Sequence, residues 1–378
     1  MKKILILLLL FISIPLVKAE ETEDLAPNAK SAIMIEASTG EILFQKNKDE
    51  KLAPASMTKM MSMLLIMEEI ENGNLKWNEM ITTSEKASSM GGSQIFLKVG
   101  EKMTVEDLLK GGNDAVVALA ERVSGSEEQF VKRMNIRAKD LGLKNTNFIN
   151  ATGLTADNHY STAYDMSLIA KELVKHEKIL EFTSTYEDYL RKDTKSPFWL
   201  VNTNRLVRFK EGVDGLKTGF TDEAGYCLTA TMKKDNMRLI TVVMKEENTS
   251  KRSADTTKML DYGFNIYMVQ TILDEKTTIE KKKVELGKTL TTEIVPKENI
   301  TILNKKSEEQ KNITYKTNIN KIIAPVKKGD KVGTIDIIED NNIISTIDAT
   351  VKEDISKANI LTIYLRNLKE IISGNLKI

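Results

Sequence analysis

The amino-acid sequence predicts an α+β domain, a small β domain after it, and a terminal amphipathic helix. Strand patterns occur at both ends of a long helical segment, which is typical of an α+β domain. After about residue 268 the sequence changes to short β-branched runs separated by turns. The length of 378 residues exceeds what one hydrophobic core usually supports, so two domains are expected.

The first domain is placed at residues 25–267. Alternating apolar stretches around Ser38-Thr39-Gly40 predict two strands within residues 32–44. A dense apolar segment over residues 57–70 predicts a buried helix that ends at Asn72-Gly73-Asn74. Helical patterns continue over residues 105–109, 114–123 and 127–141. Residues 226–232 and 238–244 flank a turn and predict an antiparallel hairpin, and residues 250–260 predict a closing helix.

The C-terminal part is divided into a small β domain at residues 270–352 and a helix at residues 356–378. In this tail Leu361, Tyr364, Leu365, Leu368 and Ile372 share one helical face. The segment carries too many charges to span a bilayer, but its apolar face is suited to a membrane surface. The alternative is a helix that packs on the β domain.

The first 19 residues predict a secretory signal peptide. Lys2 and Lys3 precede an apolar run, which is followed by a small-residue end at Ala19. A transmembrane anchor would need about 20 apolar residues, and Pro15 and Lys18 interrupt this run. We therefore expect an exported, extracytoplasmic protein.

Composition excludes several partners and cofactors. A net charge of +1 argues against a dedicated nucleic-acid partner. With one cysteine, Cys227, no internal disulfide can form, and its apolar neighbours predict a packed thiol. His159 and His176 have no partners at metal-ligand spacing, so we expect neither a metal nor another cofactor.

A first chemical motif is Ser56-Met57-Thr58-Lys59. The i to i+3 spacing places the Ser56 hydroxyl and the Lys59 amine on one helix face. Serine is a poor nucleophile unless a base takes its proton, and a lysine becomes such a base when burial makes its charged form costly. A serine at a helix start with a solvated lysine is the alternative for the motif alone.

A second motif is Lys217-Thr218-Gly219, ahead of the predicted hairpin. The Lys217 cation and the Thr218 hydroxyl are suited to holding a substrate carboxylate. Gly219 permits a ligand to approach the backbone closely. Alone, the motif would indicate a surface turn, but the two motifs in this order are typical of serine acyl-enzymes that bind penicillin.

The sequence resembles the low-molecular-mass penicillin-binding proteins, the D-alanyl-D-alanine carboxypeptidase family, over nearly its whole length. The segments that carry the resemblance are Ala53 to Lys59 (APASMTK), Asn113 to Ala115 (NDA), Asn158 to Ala163 (NHYSTA), Gly212 to Gly219 (GVDGLKTG), Ala224 to Cys227 (AGYC) and Ala324 to Asp330 (APVKKGD). The resemblance implies a β-lactamase/transpeptidase-like first domain with an antiparallel sheet and a helical cluster.

The resemblance also implies an activity and roles for residues. Ser56 would be the acylated nucleophile and Lys59 its base, with Asn113 from the family's Ser-x-Asn motif. Lys217, Thr218 and Gly219 would bind the terminal carboxylate of peptidoglycan stem peptides ending in D-Ala-D-Ala. β-Lactam antibiotics would inhibit the protein by acylating Ser56.

The chain departs from the family at this Ser-x-Asn motif. The stretch around Asn113 has Gly111 where the serine should stand, and a few apolar residues are missing between Gly111 and Gly112. A relaying hydroxyl is worth about 100-fold to 10,000-fold in rate. We therefore expect acylation with reduced turnover, unless another hydroxyl, such as that of Ser93, fills the gap.

Two alternatives belong to other functional classes. One is a degenerate protein that binds peptidoglycan peptides or β-lactams without useful turnover, which the Gly111 departure favours. The other is a serine β-lactamase, which needs a deacylating base such as the class A glutamate. The sequence offers no convincing Glu-x-x-x-Asn element for that role, and its added β domain and tail helix also argue against it.

Overall fold

The structure is a computed structural model that describes residues 23–309 and 312–373. The predicted signal peptide at residues 1–19 lies outside the described residues. The end of the predicted tail helix, residues 374–378, lies outside them as well.

The N-terminal part of the structure contains nine strands and nine α-helices within the described residues. Its strands are β1 (Ser31–Glu36), β2 (Ile42–Lys46), β3 (Met80–Thr82), β4 (Lys102–Thr104), β5 (Glu187–Leu190), β6 (Phe198–Val201), β7 (Val213–Thr221), β8 (Gly225–Lys234) and β9 (Met237–Glu246). Its helices are α1 (Lys59–Glu71), α2 (Glu85–Ser88), α3 (Val105–Leu109), α4 (Asn113–Ser124), α5 (Glu127–Asp140), α6 (Ala163–Leu173), α7 (Glu177–Thr183), α8 (Leu206–Phe209) and α9 (Thr249–Ile266). A 3-10 helix, Ala55–Thr58, leads directly into α1.

A five-stranded antiparallel sheet, in the order β2-β1-β9-β8-β7, separates two hydrophobic cores. Every residue of β1 is buried, because successive side chains point to opposite faces and both faces are covered. Ile33 and Ile35 belong to the core shared with α1 and α6. Ala32 and Met34 belong to the core shared with α9. The topology leaves β7 at the sheet edge, beside the 3-10 helix.

The predicted elements of this region are confirmed. The hairpin is β8 and β9, the paired first strands are β1 and β2, and the predicted closing helix is α9. The predicted helix over residues 57–70 corresponds to the 3-10 helix followed by α1. Cys227 is buried as predicted, and burial raises the pKa of its thiol to about 11.

The C-terminal part is rich in strands, as predicted. Its strands are β10 (Tyr267–Leu273), β11 (Glu280–Glu285), β12 (Thr291–Pro296), β13 (Ile300–Lys305), β14 (Ile313–Ile319), β15 (Ile322–Ile323), β16 (Gly333–Glu339) and β17 (Asn342–Val351). Six of them form a mixed sheet in the order β14-β16-β17-β12-β11-β15, and β10 pairs with β13. Alternate residues such as Ile335 and Ile337 fill a separate core, which explains the β-branched periodicity of the sequence.

The tail forms the helix α10 (Ile360–Ile372), shorter than the predicted 356–378. Arg366 attaches it to the β part by donating hydrogen bonds to the carbonyls of Gly287 (2.7 Å) and Lys288 (2.8 Å). The apolar face is not covered, since Leu361 and Ile372 are 66% and 77% exposed. Among the described helices, none has the length and apolar character required to cross a membrane.

Candidate active site

The Ser-x-x-Lys pair lies where the 3-10 helix meets α1. Lys59 Nζ donates a hydrogen bond to Ser56 Oγ at 2.9 Å and a second one to the carbonyl of Thr152 at 2.7 Å. Ser56 is half-buried, whereas Lys59 is only 4% exposed. The predicted spacing therefore places the amine beside a hydroxyl that substrates can still reach.

The surroundings of Lys59 favour its neutral form. Burial holds the pKa of Lys59 well below its usual value. The nearby Lys217 cation lowers this pKa further, and the Asp114 carboxylate partly opposes both effects. A neutral amine that touches a serine hydroxyl can accept its proton, which is the requirement for activating this weak nucleophile.

The turn that presents the Thr152 carbonyl is fixed by its own hydrogen bonds. Asn150 Oδ1 accepts from the backbone N–H groups of Thr152 (3.2 Å) and Gly153 (2.7 Å). Gly153 has φ +84°, and a Cβ at this position would lie 1.8 Å from the Ala55 carbonyl oxygen. Only glycine satisfies both conditions, so this turn can pack directly against the serine-bearing helix.

His159 contacts the same helix, and its hydrogen bonds indicate a structural role. Its Nδ1 accepts a hydrogen bond from the Ile149 N–H at 3.1 Å, so the neutral ring carries its proton on Nε2. Nε2 lies 2.8 Å from Thr58 Oγ1. Burial lowers the pKa of His159 to about 4, which keeps the ring neutral. His176 lies elsewhere, with its Nδ1 2.7 Å from Glu71 Oε1.

The edge strand β7 brings the Lys-Thr-Gly motif to Ser56. A Cβ on Gly219 would lie 2.8 Å from the Pro54 carbonyl oxygen and 3.3 Å from the Ser56 nitrogen. Glycine thus permits the strand to approach the nucleophile closely. Lys217 Nζ donates to the Thr218 carbonyl at 2.9 Å, and Thr218 Oγ1 lies 2.6 Å from Thr203 Oγ1.

Arg252 makes this side of the site more positive. It lies on α9, is 4% exposed, and donates from Nη2 to the Thr203 carbonyl at 3.3 Å. Its Nε is buried without a hydrogen-bond partner within the described structure. Burial lowers the pKa of Lys217 to about 8, and the Arg252 cation acts in the same direction. The Lys217 and Arg252 cations therefore lie close to the Thr203 and Thr218 hydroxyls on this side of the site.

Asn113 is held by a different part of the chain. It begins α4, and its backbone N–H donates to the Ser93 carbonyl at 2.7 Å. Its side-chain Nδ2 donates to the Gly91 carbonyl at 2.7 Å, and its Oδ1 is buried without a partner. Within the described residues no hydrogen bond joins Asn113 to Ser56 or Lys59. The structure thus joins Ser56 to Lys59 by a hydrogen bond and places Gly219 next to Ser56, with Lys217 and Thr218 preceding it on β7. Asn113 instead contacts the loop at residues 91–95.

The position of the missing second-motif serine is tightly enclosed. A Cβ on Gly111 would lie 2.4 Å from Ala115 Cβ, and one on Gly112 would lie 2.3 Å from the Ser93 carbonyl oxygen. The side chain of Ser93 is exposed, and in the described part of the chain its hydroxyl makes no hydrogen bond to Ser56 or Lys59. The predicted gap is therefore not filled by Ser93.

Three contributors were not found in the sequence, namely Thr203, Arg252 and the Thr152 carbonyl. None of them forms a local motif with the residues that they contact, and the Thr152 carbonyl lies 93 positions from Lys59 in the chain. Asn150 and Gly153 could have indicated the turn that carries Thr152, because an Asn-x-x-Gly stretch predicts a tight turn. It would have indicated a turn, but not its contact with Lys59.

Family models match nearly the whole of the described chain. A Peptidase S11 model, described as D-alanyl-D-alanine carboxypeptidase, matches residues 17–248. A model described as penicillin-binding protein 5, C-terminal domain, matches residues 267–357. The two matched segments together contain all the predicted site residues and the strands of the C-terminal part.

Individual relatives agree with these models. The D-alanyl-D-alanine carboxypeptidase DacF of Bacillus subtilis is 51% identical over 358 residues, which cover 92% of this chain and 91% of DacF. The crystal structure of penicillin binding protein 5 from Haemophilus influenzae is 30% identical, with a TM-score of 0.69, covering 87% of this chain and 98% of that one. Penicillin-binding protein D2 from Listeria monocytogenes, in its cefotaxime-bound form, is 33% identical with a TM-score of 0.57, covering 63% of this chain and 97% of that one.

Proposed function

The chain belongs to the Peptidase S11 family of D-alanyl-D-alanine carboxypeptidases, and from this premise we propose that Ser56 is its acylated nucleophile and Lys59 the base. The protein is thus a serine peptidase of peptidoglycan metabolism with a β-lactamase/transpeptidase-like fold. The observation that carries the assignment of roles is the 2.9 Å hydrogen bond from buried Lys59 to Ser56 Oγ.

The proposed reaction begins with proton transfer from Ser56 Oγ to neutral Lys59. The oxygen attacks the carbonyl carbon of the penultimate D-alanine, and the C–N bond to the terminal D-alanine breaks. The leaving nitrogen takes a proton, so D-alanine departs and the peptide stays as an ester on Ser56. Water then hydrolyses this ester and restores the hydroxyl. Lys217, Thr218 and Arg252 would hold the terminal carboxylate during these steps.

We propose that turnover is slower than in a relative with a complete second motif. A hydroxyl between the nucleophile and the leaving nitrogen would relay the proton, and neither Gly111 nor Ser93 supplies one at this place. The Asn113 amide is also engaged with the Gly91 carbonyl. The loss of such acid–base assistance typically costs about 100-fold to 10,000-fold in rate. A weakly catalytic penicillin- and peptide-binding protein is therefore the second candidate function.

The chain is expected to bind β-lactams. Penicillin-binding protein D2 from Listeria monocytogenes has been seen in cefotaxime-bound and ampicillin-bound forms. The residues that acylation requires, Ser56 and Lys59, are in contact here. A β-lactam also carries a carboxylate, for which Lys217 and Thr218 are the proposed partners.

We propose the organisation of the mature protein as a DD-peptidase domain (25–267), a β domain (270–352) and a membrane-associating tail (356–378). With the signal peptide at residues 1–19 removed, the protein would lie on the outer face of the cytoplasmic membrane. The exposed apolar face of α10 supports this location, because an uncovered amphipathic helix gains free energy in a membrane interface.

The catalytic proposal is tested with two reagents on the purified chain. One sample is incubated with a fluorescent penicillin and another with a peptide ending in D-Ala-D-Ala, and Ser56→Ala is the control. Labelling that depends on Ser56, with slow D-alanine release, is the expected result. Labelling without any release would favour the second candidate function, and rates equal to those of DacF would contradict slow turnover. If Ser56→Ala labels as strongly as the unmodified protein, the nucleophile assignment is wrong, and if neither labels, the Gly111 gap has disabled the site.

The membrane proposal is tested by sedimentation with vesicles. Leu365, 55% exposed on α10, is changed to Asp, which should weaken binding to vesicles that contain anionic lipid. Ile136→Asp is a matched control, because Ile136 is 58% exposed on α5, away from the tail. Equal sedimentation of the two variants would contradict a role for α10.

A further inference from the structure

An exposed pair of aromatic rings lies at the end of β7, next to the proposed nucleophile. Phe220 directly follows Gly219, at which a Cβ would lie 3.3 Å from the Ser56 nitrogen. Phe220 is 51% exposed and pairs across the sheet with half-buried Tyr226 of β8. The two ring centroids are 4.4 Å apart. We call Phe220 and Tyr226 the aromatic pair.

The edge of β7 determines how a substrate could run past this pair. Within the described residues β7 pairs with β8 alone, so its other edge is open to an extended peptide. The terminal carboxylate is proposed to lie at Thr218 and the scissile bond at Ser56, beside Gly219. A substrate that continues in this direction along β7 reaches Phe220 next.

The spacing along β7 indicates which substrate residue meets the aromatic pair. Thr218 and Phe220 are two positions apart, so their side chains project from the same side of the strand, about 7 Å from each other. An extended peptide rises about 3.3 Å per residue, so two of its residues span the same distance. The substrate residue two places before the terminal one would therefore lie beside the Phe220 ring.

The turn between the two rings is acidic. Asp222 and Glu223 are exposed there, and neither forms an ion pair within the part of the chain that the structure describes. A cation is attracted both by such carboxylates and by the face of an aromatic ring. The buried Arg252 cation contacts the Thr203 carbonyl, on the side of the proposed carboxylate site. The two ends of the site thus favour opposite charges on a substrate.

We propose that the aromatic pair and the Asp222-Glu223 turn bind the substrate residue two places before the terminal one, and that they favour a side chain with an aliphatic stem and a terminal ammonium group. Phe220 is then a specificity-determining residue for the reaction at Ser56. The methylene groups of the stem would cover the rings and leave water, and the ammonium group would lie near the carboxylates. This inference rests on the proposed function, because it uses the same carboxylate site and the same nucleophile.

Binding is measured by calorimetry with the Ser56→Ala protein, so that no peptide is consumed. Three peptides differ only in the residue before D-Ala-D-Ala, which is lysine, norleucine or alanine. Norleucine has the stem of lysine without its ammonium group. The lysine peptide should bind about 10-fold more tightly than the alanine peptide, since a partly covered stem and one cation–π contact together are worth about this factor. The norleucine peptide should lie between them.

Substitutions in the Ser56→Ala protein test whether the aromatic pair causes the preference. Phe220→Ala should reduce the lysine-to-alanine affinity ratio to about twofold or less, because the ring is lost. Phe220→Leu keeps an apolar side chain and should retain the norleucine preference while it loses part of the lysine preference. Tyr315→Ala is the matched control, since Tyr315 is 43% exposed on β14 of the C-terminal part, and it should leave every ratio unchanged.

The acidic turn is tested by Asp222→Asn combined with Glu223→Gln, again in the Ser56→Ala protein. This change removes two charges and no volume, so it should lower the lysine-to-norleucine ratio and leave the norleucine-to-alanine ratio as it was. An unchanged lysine-to-norleucine ratio would overturn the role of the turn.

The outcomes separate this inference from the proposed function. Equal affinities for the three peptides, together with penicillin labelling of Ser56 in the unmodified chain, would overturn the inference alone. A lysine preference that survives Phe220→Ala in full would also overturn it, because the side chain would then bind elsewhere. Failure of the unmodified chain to label, with no binding of any peptide to Ser56→Ala, would overturn both proposals.

Discussion

The two sides of the active site differ in how closely their groups are packed and hydrogen-bonded. On the side of the nucleophile, Gly153 and Gly219 permit backbone segments to pack against the 3-10 helix, and Lys59 has two hydrogen-bond acceptors. On the side of the second motif, Asn113 Oδ1 is buried without a partner and a cavity of about 230 Å³ lies beside Lys59. The groups that we propose form the acyl-enzyme are thus in contact, while the expected place of the relaying hydroxyl is occupied by Gly111.

We infer that activation of the nucleophile and protonation of the leaving nitrogen depend on separate parts of the chain. Ser56 and Lys59 are joined by one helical turn, so a change in the α3–α4 connection does not remove their contact. The proposed proton relay depends on how the α3–α4 connection, which is distant in sequence, fills the space near Ser56 and Lys59. A shortened segment can therefore impair release of the product while the nucleophile stays activated.

The largest effect is expected from Lys59→Met, which removes the proposed base on the nucleophile side of the site. Methionine keeps an unbranched chain in this buried place but cannot accept the Ser56 proton, so the rate of labelling by fluorescent penicillin should fall about 100-fold to 10,000-fold. Exposed Lys144→Met is the matched control and should label at the unmodified rate. Labelling within about tenfold of that rate would show that another group activates Ser56.

A smaller effect is expected from pH, through Lys217. Its pKa is lowered to about 8, so it is cationic and able to bind a carboxylate below this pH and loses its charge above it. The value of kcat/KM for a D-Ala-D-Ala peptide should therefore fall about tenfold between pH 7 and pH 9. Activity is measured from pH 6 to 10, in buffers of constant ionic strength.

Lys217→Arg is the variant that assigns this pH effect. A guanidinium stays charged throughout the range, so the fall above pH 8 should disappear, even if the rate at pH 7 is lower. The same alkaline fall in the Arg variant would show that a different group titrates. Loss of the alkaline fall would identify Lys217 as the cation that holds the carboxylate.

The sequence allowed the nucleophile side to be predicted better than the second-motif side. The spacing of Ser56 and Lys59 determines their contact, because a helical turn places residues three apart on one face. The β8–β9 hairpin also follows from local periodicity and a turn. By contrast, Thr203 and Arg252 reach the site through the tertiary fold alone.

The open space beside Lys59 could not be predicted for a related reason. The sequence shows that residues are missing near Gly111, but a shorter chain can either close the gap or leave it open. Which of these occurs depends on how far helices such as α1 and α4 move toward each other. Close packing resists such movement, and here Met63 and Val116 face an open space.

Alanine substitutions of its glycines test how tightly the second-motif side is packed. A Cβ at Gly112 would lie 2.3 Å from the Ser93 carbonyl oxygen and 2.6 Å from Gln94 Cα, so Gly112→Ala should lower the free energy of unfolding by about 1–3 kcal/mol. Gly91→Ala is the matched control, because nothing lies within 4 Å of its Cβ and the change should be within about 0.5 kcal/mol. Both values are measured by urea unfolding of the purified chain.

The same crowding predicts that a serine cannot simply be put back. Gly111 occupies the place of the serine, and a Cβ there would lie 2.4 Å from Ala115 Cβ, so Gly111→Ser should lose stability and should not accelerate D-alanine release. Faster release from a stable Gly111→Ser protein would mean that Ala115 moves aside and that only the hydroxyl is missing from the site. Unchanged or slower release would mean that the missing residues, and not only the missing hydroxyl, limit protonation of the leaving nitrogen.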